Sequence, residues 1–288
     1  MSEVLSITTI VGALEAASEF AGPVNYRGQN DQQNWLLKRY AKYKNALPDI
    51  DELETWAKKS AEEINEILEQ RGFNIRLAHW DPDPRLFGTL GILDLTLTWL
   101  VPGKSTTIKD KAFPAFSHES RTLGETFSIN DHDEPIIKLA TLNEDVVSIT
   151  KSKKPLNEFE MVETVERLRR ASIVTTHNFE RVVVPKINFV KEVDIDWIIG
   201  MESGVDPDVI EVVAAKQEVR FGMNEIGARV KEASAFAMIG RAITVEVPTY
   251  VVDEPFLLWV DRPGLEIPIF QAWFNEDNWE DPGDLANL

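Results

Sequence analysis

Apolar residues recur along this chain with two different periods, and the change of period separates helical from extended regions. From Asp51 to Gln70, Leu53, Trp56, Ala57, Ile64, Ile67 and Leu68 fall three or four positions apart with Glu and Lys between them. That spacing predicts one amphipathic helix, started by Asp49 or Asp51 and stopped by Gly72. A second helix is expected over 32–46. A third is expected from Glu158 to Arg170, where Met161, Val162, Val165 and Leu168 share one side. Val4 to Ala17 reads as an amphipathic opening segment. Asp81-Pro82-Asp83-Pro84 is a turn, because each proline disfavours helix at the residue before it.

Beyond that turn the period drops to two. Leu93, Leu95, Leu97 and Trp99 alternate with Asp94, Thr96 and Thr98, the pattern of a strand with one buried face, and Pro102-Gly103 ends it. Short strand-like runs fill 104–150, and 182–193 is extended. Asp194 to Gly200 reads as a short helix. Strands are expected at Glu218 to Met223, Ala242 to Val252, Phe256 to Val260 and Ile267 to Phe274. Helices and strands mix without regular alternation and without an internal repeat, which predicts an α+β fold over a doubly wound one.

Composition narrows the function. At 288 residues, 43% hydrophobic and 27% charged, the chain can bury a large core, as one large domain or two small ones. Its net charge of −18 repels phosphate backbones and anionic membranes, so neither nucleic acid nor membrane is an expected partner. Glu3 and Glu15 in the opening segment, with no basic residue before it, argue against a signal peptide. Together with the absence of cysteine this predicts a cytoplasmic protein.

Enzyme chemistry finds no motif. There is no phosphate-cradling glycine loop, no HExxH and no GxSxG, and His79, His118, His132 and His177 lie far apart. No catalytic residue, metal ligand or cofactor is therefore assigned. Asp131, Asp133 and Glu134, and likewise Glu276, Asp277, Glu280 and Asp281, lack the ligand spacing of a calcium loop and read as solvated turns.

The informative segment is 218–241. From Ala228 to Ala237 it is rich in small residues and free of proline. Such a stretch can lie outside the body as a loop or enter a sheet as a strand. Asn224-Glu225-Ile226-Gly227 and the small residues after it resemble the reactive-loop hinge of serpins, and Val219 to Met223 resembles the strand leading into it. Asp253-Glu254-Pro255-Phe256-Leu257-Leu258-Trp259-Val260 and Pro268-Ile269-Phe270-Gln271-Ala272 resemble the family's last strands. Upstream, Leu53 to Leu68 resembles the helix that lies across the large sheet, and Gly91 to Gly103 sits where the next strand of that sheet belongs. Val184-Pro185-Lys186 with Asp196 to Met201 resembles a strand–helix pair. The tryptophan that the family has just after the sheet strand is missing, since Pro102-Gly103-Lys104-Ser105 stands there, and the N-terminal helical region is reduced.

The resemblance implies a single serpin-like α+β domain over 1–288, of large mixed and antiparallel sheets, with helices on one side and an exposed reactive loop. It implies a suicide substrate for a trypsin-like serine protease, with Gly240-Arg241-Ala242 around the scissile bond Arg241–Ala242. The hinge residues would be Glu225, Gly227, Ala228, Val230, Glu232 and Ser234. Alternation points Ala228, Val230, Glu232 and Ser234 into the sheet, where an unpaired Glu232 would cost several kcal/mol. Two alternatives stand beside inhibition: a non-inhibitory serpin-like binding protein, and an unrelated α+β protein.

Overall fold

The computed structural model describes residues 2–81, 86–110, 112–119, 126–129, 132–171, 173–175, 179–204, 209–229 and 247–285. The chain opens with β1 (Glu3–Val4) and α1 (Ile7–Ala16), a largely buried helix, then the short α2 (Ser18–Ala21) and β2 (Tyr26–Arg27). Next comes α3 (Asp31–Ala46), capped by the Asn30 side chain, which accepts from the Gln33 amide. β3 (Leu53–Lys58) and α4 (Ala61–Gln70) follow. The long helix expected from Asp51 to Gln70 is therefore two elements. Ser60 accepts from the amide of Glu63 at 3.2 Å and starts the helix there, while 53–58 is claimed by a strand partner.

That partner is β4 (Gly88–Leu93), which runs on into β5 (Thr96–Thr98). Then come β6 (Lys104–Ile108), β7 (Phe113–Glu119), β8 (Thr126–Ile129), β9 (His132–Ala140) and β10 (Val146–Lys151). After α5 (Glu158–Ala171) stand β11 (Ile173–Thr175), β12 (Arg181–Pro185), β13 (Ile187–Val193), β14 (Glu202–Ser203) and β15 (Ile210–Glu211). The described chain finishes with β16 (Gln217–Met223), β17 (Gly227–Arg229), β18 (Thr249–Val251), β19 (Phe256–Asp261) and β20 (Pro268–Phe274). The predicted turn at Asp81–Pro84 lies mostly outside the described residues, as does the first half of the strand expected at 242–252.

A seven-stranded sheet has the order β1-β20-β19-β10-β9-β8-β11, and its pairings are antiparallel. Every residue of β20 is buried and β19 is buried through Val260, which explains the unbroken apolar runs of these strands. A four-stranded sheet, β18-β12-β7-β6, carries the parallel pair β12–β18. A further four-stranded sheet has the order β13-β16-β17-β5, and β3 and β4 form a two-stranded sheet whose strand β4 precedes β5 in the chain. α1 packs on β3 and β4, so closely that a Cβ on Gly91 would come within 2.5 Å of the Thr9 carbonyl. One apolar cluster draws on residues from Val4 to Trp279. No helix among the described residues is long and apolar enough to cross a membrane.

Candidate functional site

β16 turns back through Asn224-Glu225-Ile226 into β17, and that three-residue strand is wedged between two others. Gly222 and Met223 of β16 pair with Arg229 and Ala228. On the other side Gly227, Ala228 and Arg229 pair with Thr98, Leu97 and Thr96 of β5. Both pairings are antiparallel, and Ala228 sits between Leu97 and Met223 in a buried layer. Gly227 has no room for a side chain, because a Cβ there would meet the Leu97 carbonyl oxygen at 2.1 Å.

The turn is held from several directions. The Asn224 side chain accepts from the Ile226 amide at 2.9 Å, and the Asn224 amide donates to the Gly227 carbonyl at 2.9 Å. The carbonyls of the turn accept in succession from the segment after β5. The Trp99 indole N–H donates to Asn224 at 2.8 Å, the Gly103 amide to Glu225 at 2.7 Å and the Trp99 amide to Ile226 at 3.1 Å. Trp99 is itself buried, stacked on Phe116 and edge-on to His118. His118 is 6% exposed, its Nε2 has no hydrogen-bond partner, and burial lowers its pKa to about 4.

Glu225 points at a buried cation. Lys186 Nζ lies 2.7 Å from Glu225 and 2.7 Å from Asp281. Burial pulls this ammonium down, but its hydrogen bonds to Asp281 and Glu225 outweigh burial and the net direction is upward. A lysine placed between two carboxylates stays charged despite being removed from water.

Below β17 the sheet changes character. Among the described residues Gln217–Phe221 of β16 pair only with β13, and β4 pairs only with β3, so the facing edges of β4 and β16 have no strand between them. A cleft of about 1290 Å³ lies here, lined by both strands and floored by Ile10, Ala13 and Leu14 of α1. The opening is a slot in line with β17, between β4 and β16. The stretch after α4 runs over its outer face. Glu218 accepts from the amides of Asn74 and Ile75 at 2.9 and 3.1 Å, and the Asn65 side chain is bonded to both polar groups of Leu77's backbone.

No protein-family model matches the sequence, and no curated protein matches it. Solved structures do match. Thyroxine-binding globulin in complex with thyroxine aligns at a TM-score of 0.55 and 12% identity over 97% of this chain and 93% of that one. A thermophilic serpin, Tengpin, in the native state aligns at 0.55 and 10% over 96% and 88%. The fold is serpin-like.

Within this serpin-like body three expected hinge residues come together: Glu225 on Lys186, Gly227 against Leu97, and Ala228 in the buried layer. Val230, Glu232, Ser234, Gly240, Arg241 and Ala242 lie outside the described residues. Of the stretch Leu53 to Leu68, expected as one helix, only 61–68 is helical, within α4. Trp99, just after β5, donates its indole N–H to the Asn224 carbonyl and so holds the turn before β17. Sequence reasoning passed over Asn224 as a turn residue with its own side-chain bonds, although an Asx turn before glycine signals one. It also missed Lys186 and Asp281, for which a lysine after Val184-Pro185 and an acidic terminus gave no pairing signal. The terminal acidic cluster is only partly a solvated turn, because Asp281 holds Lys186 and Glu276 pairs with Lys109.

Proposed function

We propose that this serpin-like chain is bait for a trypsin-like serine protease, cut between Arg241 and Ala242 and able to draw the cut segment into its own sheet. The observation that carries the reading is that Gly227–Arg229 already runs as a strand into the top of an open slot. Extending the two registers sets residue 230 opposite Phe221 and Leu95, 232 opposite Val219 and Leu93, and 234 opposite Gln217 and Gly91. Val230 and Ser234 suit those neighbours. The protease's serine oxygen attacks the carbonyl carbon of Arg241, the C–N bond to Ala242 breaks, and the Ala242 amine leaves with the proton returned by the protease's histidine. If the segment enters the slot before water reaches the acyl-enzyme, the protease is carried along and distorted. The chain supplies the bait and the slot, and the protease supplies the nucleophile.

A second reading has its own observation. Glu232 would face Val219 and Leu93, and burying that carboxylate without a partner costs several kcal/mol. This favours a serpin-like protein whose segment is cut or bound without full insertion. Incubation with trypsin followed by denaturing electrophoresis separates the two. Inhibition predicts a covalent band carrying both proteins. Cleavage at Arg241 with no such band and no change in melting temperature would discard the suicide-substrate reading.

A further inference from the structure

The chain does not end at its last strand. After β20, Asn275 to Leu285 folds back across the top of the hinge sheet, anchored by Trp279, which is 1% exposed and packs edge-on against Phe113 at 5.3 Å. Leu285 is buried as well. Between these anchors the segment reaches the hinge turn at two points. The Asn224 side-chain amide donates to the Gly283 carbonyl at 3.0 Å, and Asp281 shares Lys186 with Glu225. The two contacts are tied together, since the Gly283 amide donates to Asp281 at 2.9 Å. Gly283 reaches this position at a φ of +70°, a conformation that few other residues adopt.

We propose that the C-terminal segment 275–285 is a latch on the hinge, in which Asp281 and the Gly283 carbonyl are positioning groups that keep Asn224-Glu225-Ile226 turned and β17 seated. Among the described residues β17 pairs at two positions with β16 and at three with β5, a short ladder to which side-chain contacts add. The turn's own carbonyls are held by Trp99 and Gly103, while the Asn224 side chain donates to the tail and Glu225 is bound by Lys186, which the tail's Asp281 shares. Loosening the tail frees Asn224 and leaves Glu225 to hold Lys186 alone. β17 would then fray while the rest of the sheet stays. The latch does not depend on protease inhibition; it acts whether the segment after Arg229 is bait or a binding surface.

The test is native-state amide exchange on the full chain, comparing Asp281→Ala and Asn224→Asp with the parent. The second variant keeps an acceptor for the Ile226 amide, removes the donor to Gly283 and sets a negative charge against that carbonyl. Each variant is expected to speed exchange at Gly227–Arg229 by about tenfold, while Leu257–Trp259 in the sealed sheet is unchanged. The double variant should fall short of the product of the two, because both release one latch. Unchanged exchange at Gly227–Arg229 would overturn the proposal. So would equal acceleration at both sites, which would mean that the tail only adds to global stability.

Discussion

In the seven-stranded sheet β19 has β20 along one edge and β10 along the other, and Phe256–Val260 is buried throughout. In the hinge sheet β16 has β13 along all of one edge but β17 at only Gly222 and Met223 on the other. β19 is apolar through Val260, whereas β16 mixes Gln217, Glu218 and Arg220 with apolar residues. Among the described residues the first is paired along both edges and the second leaves five positions open on one. A saturated sheet has no alternative state to reach. The edge of β16 at 217–221, which pairs with no strand among the described residues, has backbone groups that would gain bonds if a strand entered. The difference puts stability in one region and the capacity for change in the other.

The contrast can be broken by substitutions of equal chemistry. Leu258→Ala in the sealed sheet should lower unfolding stability by about 3–5 kcal/mol, because a fully enclosed side chain leaves a cavity. Leu93→Ala, beside the cleft, should cost only about 1 kcal/mol. Equal losses in denaturant titration would mean that the slot is not open. Next in size is His118 under the hinge. Its folded pKa is depressed to about 4 from 6.5, so its contribution is complete above pH 6.5 and is lost as pH falls from there to 4, by up to about 3 kcal/mol. Stability measured against pH should fall over that window, and His118→Leu should flatten it. If the parent and the variant show the same slope, His118 does not titrate as described. The smallest effect is at the cleft's outer cover. Glu218→Gln should weaken the bonds to Asn74 and Ile75 by about 1 kcal/mol, seen as faster exchange of those two amides. No change there would show that the cover is held by other contacts.

These regions were also unequally readable from the sequence. The long apolar runs at 256–260 and 267–274 marked the sealed sheet, since strands buried on both faces leave no choice of residue. For β17 the sequence offered Gly227, at a position with no room for a Cβ against Leu97. Residues 53–58 misled because Leu53, Trp56 and Ala57 satisfy a helical spacing, while the alternation of Leu53, Thr55 and Ala57 serves the strand. The choice is made by a partner at 88–93, far along the chain, which local periodicity does not contain. The signal for the true helix start was present, as Ser60 followed by Glu63. The latch was invisible because Lys186, Glu225 and Asp281 meet only through the fold. The slot was invisible for a related reason: an absent neighbour leaves no mark on the residues that would border it.

The claim on which the rest depends is that the slot beside β16 accepts the residues following Arg229. Its most direct test is the melting temperature of the chain before and after cleavage at Arg241, with the site of the cut verified by mass. Filling the slot predicts a rise of about 10 °C or more, since each kcal/mol moves the melting of a chain this size by roughly 2–4 °C. A cleaved chain that melts at or below the temperature of the intact one would contradict it.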